Sequence, residues 1–154
     1  MIVSRFYVMA GTPWILLLLL LLIAGALAPN LIAAAFTQGP ARLGKEFAIK
    51  AGEQLKLEGS DFQVKFVGVP QDSRCPTGVN CIWAGNAEVT LNLNYDKCTT
   101  NLTLNTHDSP QTKQEGKAGA FSVKLIKLDP YPRADEKIAA SDYVATLVIT
   151  KAAN

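Results

Sequence analysis

Hydrophobic and polar residues alternate along most of the chain beyond residue 46. The clearest case is AEVTLNLNY, residues 87–95, in which apolar side chains occupy every second position. This period of two predicts a strand with one buried face and one solvent-exposed face. The next segment, CTTNLTLNT, keeps the same period, and the short connection Asp96-Lys97 predicts an antiparallel hairpin between the two strands.

Two other segments alternate with a change of phase. FQVKFVGV (residues 62–69) and FSVKLIKL (residues 121–128) each shift their apolar positions by one residue partway along. A strand cannot keep both sets on one face, so each segment is predicted to contain a bulge or to pass between two sheets. The final alternating segment, residues 142–150, carries apolar residues at both parities, which is typical of a central strand covered on both sides.

The remaining pattern favours an all-β fold. Two brief strands are predicted around residues 47–49 and 55–57, and no segment beyond residue 36 shows a helical period over ten or more residues. About seven short strands with turn signals between them predict an antiparallel β-sandwich of immunoglobulin-like or related topology. We place this domain at residues 46–154, after a polar linker at residues 37–45.

The N-terminal residues 1–36 form a membrane-directed segment that predicts one hydrophobic helix. Residues 14–28 read WILLLLLLLIAGALA without a charge, and a second apolar patch, LIAAAF, ends at Phe36. Arg5, the leucine run and Ala33 to Ala35 fit a signal peptide, whereas residues 14–36 are long enough to anchor the chain as a transmembrane helix. Either interpretation places the β domain outside the cytoplasm, in the periplasm, at the cell surface or secreted.

The charge distribution argues against a nucleic-acid partner, and export changes how the cysteines are interpreted. The chain has 15 Lys and Arg against 13 Asp and Glu, and they are interspersed without a basic patch, so we expect no nucleic-acid partner. Disulfides form and persist outside the cytoplasm, so export favours a structural role for paired cysteines.

Residues 72–85, DSRCPTGVNCIWAG, hold two of the three cysteines and are the candidate site. Pro76 and Gly78 suit a type I turn that brings Cys75 and Cys81 close enough for a disulfide. We therefore predict that these two cysteines are paired. Asp72, Ser73 and Arg74 fit a turn closed by an Asp or Ser side chain, with an Arg beside it, and nothing requires them to be buried.

Trp83 admits two interpretations. It has the same parity as Cys81, Ala87 and Val89, so an unbroken strand would bury its ring in the core beside the disulfide. A bulge at Ala84-Gly85 would instead turn the ring outward as a platform for a ligand. The candidate binding residues are accordingly Asp72, Ser73, Arg74 and Trp83.

The segment also resembles a protein family. DSRCP-x4-C-x-WAG followed by an alternating strand, with PYP at residues 130–132 and DY at residues 142–143, is similar to a group of uncharacterised exported bacterial β-domain proteins, many of them lipoproteins. The resemblance implies an extracytoplasmic β domain and no particular activity. This chain lacks the lipid-attachment cysteine that many members carry.

Catalytic and metal-binding alternatives use the remaining reactive residues. Cys98 and His107, oriented by Asp108, would form a nucleophile and base pair, and the three cysteines with His107 would form a zinc-type ligand set. Neither has a local signature, and Cys98 shares the parity of Leu102 and Leu104, which predicts burial. We therefore assign no catalytic residue, metal or cofactor.

The expected function is a non-enzymatic binding module at the bacterial cell envelope. Its partner would be an envelope protein or an extracellular ligand, and residues 14–36 would contact the membrane if they are not cleaved. Two alternatives stay open: a thiol-dependent or redox enzyme that uses Cys75 and Cys81, and a purely structural component of the envelope.

Overall fold

The computed structural model describes residues 39–152, which form eight β-strands and a single turn of 3₁₀ helix. The strands are β1 (Glu46–Lys50), β2 (Gln54–Lys56), β3 (Gln63–Asp72), β4 (Ala87–Tyr95), β5 (Cys98–Asn105), β6 (Glu115–Ala118), β7 (Phe121–Asp129) and β8 (Val144–Lys151). The 3₁₀ turn covers Ala140–Asp142. The all-β prediction is confirmed for this part of the chain.

The strands form two four-stranded antiparallel sheets. One has the order β1-β8-β7-β6 and the other the order β2-β3-β4-β5. Buried apolar side chains from both sheets belong to a single hydrophobic core. In β4 the residues Ala87, Val89, Leu91 and Leu93 are fully buried while those between them are half-buried, as the alternation predicted.

The predicted phase changes are bulges. In β3 the register against β4 shifts between Phe66 and Gly68, and in β7 the register against β8 shifts between Leu125 and Lys127. The apolar pattern of the sequence slips by one residue at the same positions. A bulge places one extra residue in a strand, so the residues after it change the side of the sheet to which their side chains point.

At the slips themselves Val67 and Ile126 are exposed, whereas Leu128 beyond the slip in β7 is buried and Val69 in β3 is half-buried against the core. Strand β3 has a second register shift between Gly68 and Gln71.

Two strands differ from expectation. The last strand, β8, is central in its sheet, but its second face, with Val144 and Val148, is only half-buried among the described residues. Strand β6 was not predicted, because its sequence EGKA has no apolar alternation and buries only Ala118.

The strand directions define two ends of the domain. Asp72, the last residue of β3, lies at the same end as Asp129 and Val144, where the connections 73–86, 106–114 and 130–143 emerge; we call this the loop end. The opposite end, where the chain enters β1 at Glu46, we call the entry end. Strand β8 runs between them, and its eight residues at about 3.3 Å each separate the ends by roughly 26 Å.

Packing begins within the predicted linker. Ala41 is buried and bridges to Leu57, and the amide of Gly44 donates to the carbonyl of Ile149 at 2.8 Å. Residues 39–152 contain no helix long and apolar enough to cross a membrane. The predicted signal or anchor at residues 1–36 lies outside the described residues.

Candidate functional site

A disulfide closes the loop between β3 and β4. The Sγ atoms of Cys75 and Cys81 lie 2.12 Å apart and their Cα atoms 5.9 Å apart, as predicted for a bonded pair. The residues between them contain the turn in which Val79 N donates to Pro76 O at 3.3 Å. We refer to residues 75–84 as the disulfide loop.

The base of the disulfide loop is a continuation of the β3–β4 pairing. Ser73 N donates to Asn86 O at 2.7 Å, and Cys75 N donates to Ala84 O at 3.0 Å. Between those two contacts Gly85 has a φ of +71°, and a Cβ at this position would lie 1.8 Å from the carbonyl oxygen of Ser73. Only glycine fits here, because the backbone is left-handed and in direct contact with the opposite chain segment.

The disulfide loop presents apolar side chains to solvent. Ile82 is 90% exposed and Trp83 is 77% exposed, and Val79 is also exposed. Of the two interpretations of Trp83, burial in the core is wrong, because β4 begins only at Ala87 and the left-handed Gly85 interrupts the parity on which it depended. The ring faces solvent, as the other interpretation required. Val79 and Ile82 were not singled out, although the uncharged run from Cys75 to Gly85 was a visible signal.

A second loop supports the disulfide loop from the side. Thr77 N donates to Pro132 O at 3.0 Å, and Ala134 N donates to Thr77 O at 3.4 Å. Next to this contact lies an open cleft of about 520 Å³. Its lining includes Thr77, Tyr131, Arg133, Lys137, Ile138 and Asp142.

Arg74 and Asp72 form a buried ion pair beneath these loops. The Arg74 Nη2 lies 2.7 Å from Asp72 Oδ2 and its Nε lies 2.9 Å from Asp72 Oδ1, a bidentate arrangement. The side chains are 5% and 12% exposed, respectively. Asp72 also accepts hydrogen bonds from the Arg74 backbone amide and from the Tyr143 hydroxyl, each at 3.1 Å.

The same guanidinium reaches across to the other sheet. Arg74 Nη1 donates to Leu128 O at 2.7 Å and Nη2 donates to Pro130 O at 2.9 Å, while the Tyr131 ring lies 5.2 Å from the guanidinium carbon. Arg74 therefore connects the end of β3 with the end of β7 and the loop after it. We call this group of Asp72, Arg74 and Tyr143 with the two carbonyls the arginine clamp.

The candidate binding residues thus separate into two kinds. Asp72 and Arg74 are directed at groups within the domain, and the Ser73 hydroxyl donates to Asn86 O at 2.9 Å. Ser73 and Trp83 are both exposed, but the Ser73 hydroxyl also accepts from Asn86 N at 3.2 Å, so its polar group is already paired within the domain. Trp83 is the member of the predicted set that presents an apolar side chain to solvent.

The ionisation of the arginine clamp follows from these contacts. Burial of the Asp72 carboxylate raises its pKa, but hydrogen bonds and charge from Arg74, with the Tyr143 hydroxyl, outweigh burial and hold the pKa below 3.8. The pKa of Tyr143 lies above 10.0, because burial and the neighbouring Asp72 charge disfavour the phenolate.

We expect the clamp to lose its contribution to stability in acid. Because the folded pKa of Asp72 is depressed, the contribution is fully present above pH 3.8 and is lost as the pH falls through the folded value. Urea denaturation of the chain and of the Asp72→Asn variant across this range measures the effect. The difference in unfolding free energy between the two proteins should shrink below pH 3.8; a constant difference would contradict this assignment.

The reactive residues considered in the sequence do not come together. Cys98 begins β5 and His107 follows its end, so roughly 25 Å of extended strand separates them. Cys98 is exposed, contrary to the burial predicted from its parity, because it lies at the hairpin tip beyond the core. The described part of the chain contains no group of three or more side chains placed to hold a metal ion.

Comparison of the chain with known protein families, with curated proteins and with solved structures finds no match.

Proposed function

We propose that this chain is an exported binding module that engages a protein partner through Val79, Ile82 and Trp83 of the disulfide loop. The observation that carries the proposal is the exposure of Ile82 and Trp83 on a loop that the disulfide and the paired base hold in one conformation. Exposed apolar groups of this kind mark interaction sites. Tryptophan is enriched among the residues that dominate binding energy at protein interfaces.

Rigidity supports a binding role for the loop. A ligand or loop that is already fixed in its bound conformation loses less conformational freedom on association. The disulfide, the Gly85 contact and the bridge from Thr77 to the neighbouring loop each restrict the disulfide loop. The apolar tip is therefore presented without a large ordering cost.

A protein partner fits the loop end better than a lipid surface. The disulfide loop carries no charge, and the neighbouring loop mixes Arg133 and Lys137 with Asp135 and Glu136. Adsorption to anionic lipid depends on a surplus of Lys and Arg near the apolar group, and no such surplus is present in these loops. The tip also lies at the end of the domain opposite to the entry of the chain.

The fold class and the cellular location of the domain form part of the same proposal. The two sheets with a shared core would be the layers of a β-sandwich of immunoglobulin-like or related topology, a class that presents binding loops at its ends. The hydrophobic N-terminal sequence and the resemblance to exported bacterial β-domain proteins support a location at the cell envelope.

Site-specific photocrosslinking tests the loop as the contact surface. The full chain, expressed in its native cells with a benzophenone amino acid in place of Trp83, should give a discrete adduct with one protein. The same substitution at Lys124, an exposed residue in β7, is the matched control and should not give it. A lipid adduct, or equal adducts from both positions, would contradict the proposal.

Trp83→Ala should separate binding from folding. We expect it to weaken the complex with the crosslinked protein by about 2 kcal/mol or more, as for an interface hot spot. The free energy of unfolding should change by less than about 0.5 kcal/mol, because the side chain is exposed. Calorimetric titration and urea denaturation give the two values, and a stability loss without a binding loss would assign Trp83 to the fold.

A second candidate is thiol–disulfide exchange at Cys75 and Cys81. The observation in its favour is the exposure of Cys81, which makes one sulfur accessible to an attacking thiolate. Equilibration in glutathione buffers distinguishes the candidates: an exchange enzyme cycles within the range of these buffers, whereas a structural bridge stays oxidised.

A further inference from the structure

Strand β5 is the outer strand of its sheet. The order β2-β3-β4-β5 gives it a paired strand on one side only among the described residues. Its register against β4 runs without a shift from the pair Tyr95 and Cys98 to the pair Glu88 and Asn105. Strand β5 therefore forms an unbroken edge of eight residues.

Alternate residues of β5 direct their backbone groups away from β4. The amide of Thr106 donates toward β4, to Ala87 O at 3.0 Å, whereas the amide of Asn105 donates outward, to Lys113 O at 2.8 Å. The direction of bonding alternates along an antiparallel strand, so every second residue before Asn105 also has its N–H and C=O on the free edge. These residues are Thr99, Asn101 and Thr103, and all three are exposed.

The other three outer strands carry features that discourage pairing with another chain. Strand β1 has a charge at each end, Glu46 and Lys50, and the four-residue strand β6 carries Glu115 and Lys117. Strand β2 has three residues, and the segment at Ala41 bonds along its edge. Short length, charge and covering segments are the usual protection of sheet edges. The β5 sequence CTTNLTLN has no charge and no proline, and it is the longest of the four.

The free edge of β5 is complementary to itself. Its outward residues read Thr-Asn-Thr in both directions around Asn101. A two-fold axis at Asn101 would place this residue opposite its own copy and Thr99 opposite Thr103 of the other copy. Each such pair would exchange both of its backbone hydrogen bonds, and cross-strand Thr pairs add to the stability. Since β5 has no charged residue, no like charges of the two strands meet at the axis.

We propose that two copies of this chain pair along β5 as an antiparallel dimer, which joins their β2-β3-β4-β5 sheets into one continuous sheet. An open edge also accepts an extended segment of another protein. The symmetric Thr-Asn-Thr pattern favours a second copy, because a two-fold interface uses the same surface on both partners. Antiparallel pairing puts the two loop ends at opposite ends of the dimer. The disulfide loop is therefore outside this interface, and the inference goes beyond the proposed protein partner.

Asn101→Glu tests the pairing. It places two carboxylates directly opposite each other at the axis, where like charges are destabilising. Sedimentation equilibrium of the full chain in density-matched detergent should show a dissociation constant raised about tenfold or more. The midpoint of urea unfolding should change little, because Asn101 is exposed.

Asn92→Glu is the matched control. It removes the same side-chain hydrogen bond, from Asn92 Nδ2 to Asn101 Oδ1 at 2.9 Å, and adds the same charge one strand away from the edge. This variant should dimerise like the unchanged chain. An unchanged chain that stays monomeric, as expected if the edge receives a strand of another protein, would overturn the proposal. Equal dissociation constants for the two variants would also overturn it.

The native Cys98 reports the register of the dimer. Cys98 is exposed and the other two cysteines are bonded, so a nitroxide label attaches at this position. In the proposed register Cys98 lies opposite Leu104 of the second copy, and the two labelled positions are separated by about six residues of strand, roughly 20 Å. Pulsed electron paramagnetic resonance should give a distance near this value. A dimer without it, or one that a reductant dissociates because the two Cys98 side chains are bonded, would contradict the β5 pairing.

Discussion

Replacing Arg74 with alanine should destabilise the domain by about 3–5 kcal/mol, the range measured when one partner of a buried ion pair is removed. The substitution leaves the carboxylate of Asp72 without its cation in a site that is almost fully buried. It also removes the donors that satisfy the carbonyls of Leu128 and Pro130. Urea denaturation followed by circular dichroism measures the loss.

Two controls separate the geometry of the clamp from its charge. Arg42→Ala breaks an exposed ion pair with Glu58 at 2.8 Å and should cost about 0–1 kcal/mol. Arg74→Lys keeps the charge but not the planar fork, so most of the loss should persist. A loss for Arg74→Ala no greater than that for Arg42→Ala would show that the clamp contributes little.

Replacing Gly85 with alanine should cost roughly 3 kcal/mol or more, because two penalties coincide. The residue has a left-handed backbone, and the added Cβ would lie 1.8 Å from the carbonyl oxygen of Ser73. Relief of this clash requires the base of the disulfide loop to open. We therefore expect weaker partner binding in addition to a lower midpoint of urea unfolding.

Gly78→Ala is the matched control for this substitution. Gly78 lies in the same loop with a φ of +86°, but a Cβ there would have no atom within 4 Å. Gly78→Ala should lower the free energy of unfolding by about 1–2 kcal/mol, the cost of holding a residue with a Cβ in the left-handed conformation. Equal losses of stability for the two substitutions would show that the backbone at Ser73 can move away from the added Cβ at little cost in free energy.

Much of the fold could be predicted because alternation is a local signal. Strand β4 was predicted over its full length, and the slips in residues 62–69 and 121–128 located the bulges in β3 and β7. Strand β6 could not be predicted in this way, because its sequence has no apolar alternation and it is recognisable as a strand only from its pairing with β7. A short edge strand with one buried residue leaves almost no periodic pattern.

The site was harder to predict because its geometry depends on contacts distant in sequence. Parity placed Trp83 and Cys98 in the core, but parity has meaning only within an unbroken strand and within the length that the other sheet covers. The left-handed Gly85 interrupts the strand between Ala87 and Trp83, so parity does not apply to Trp83. Cys98 lies at the hairpin tip, beyond the length that the other sheet covers.

The burial of Arg74 had no local signal at all. The carbonyls that accept its hydrogen bonds lie 54 and 56 residues further along the chain. A charged residue in a turn is ordinarily solvated, and only the meeting of β3 with the end of β7 changes that expectation.

The placement of the apolar tip and the chain entry at opposite ends has a mechanical consequence. A pull between residue 46 and a partner held at Trp83 would act along the strands. Strand β1 is joined to β8 by an antiparallel ladder from Glu46 to Lys50, and its hydrogen bonds are perpendicular to that direction. The load would shear these bonds together and not open them one after another, so the ladder between β1 and β8 resists a pull applied between residues 46 and 83.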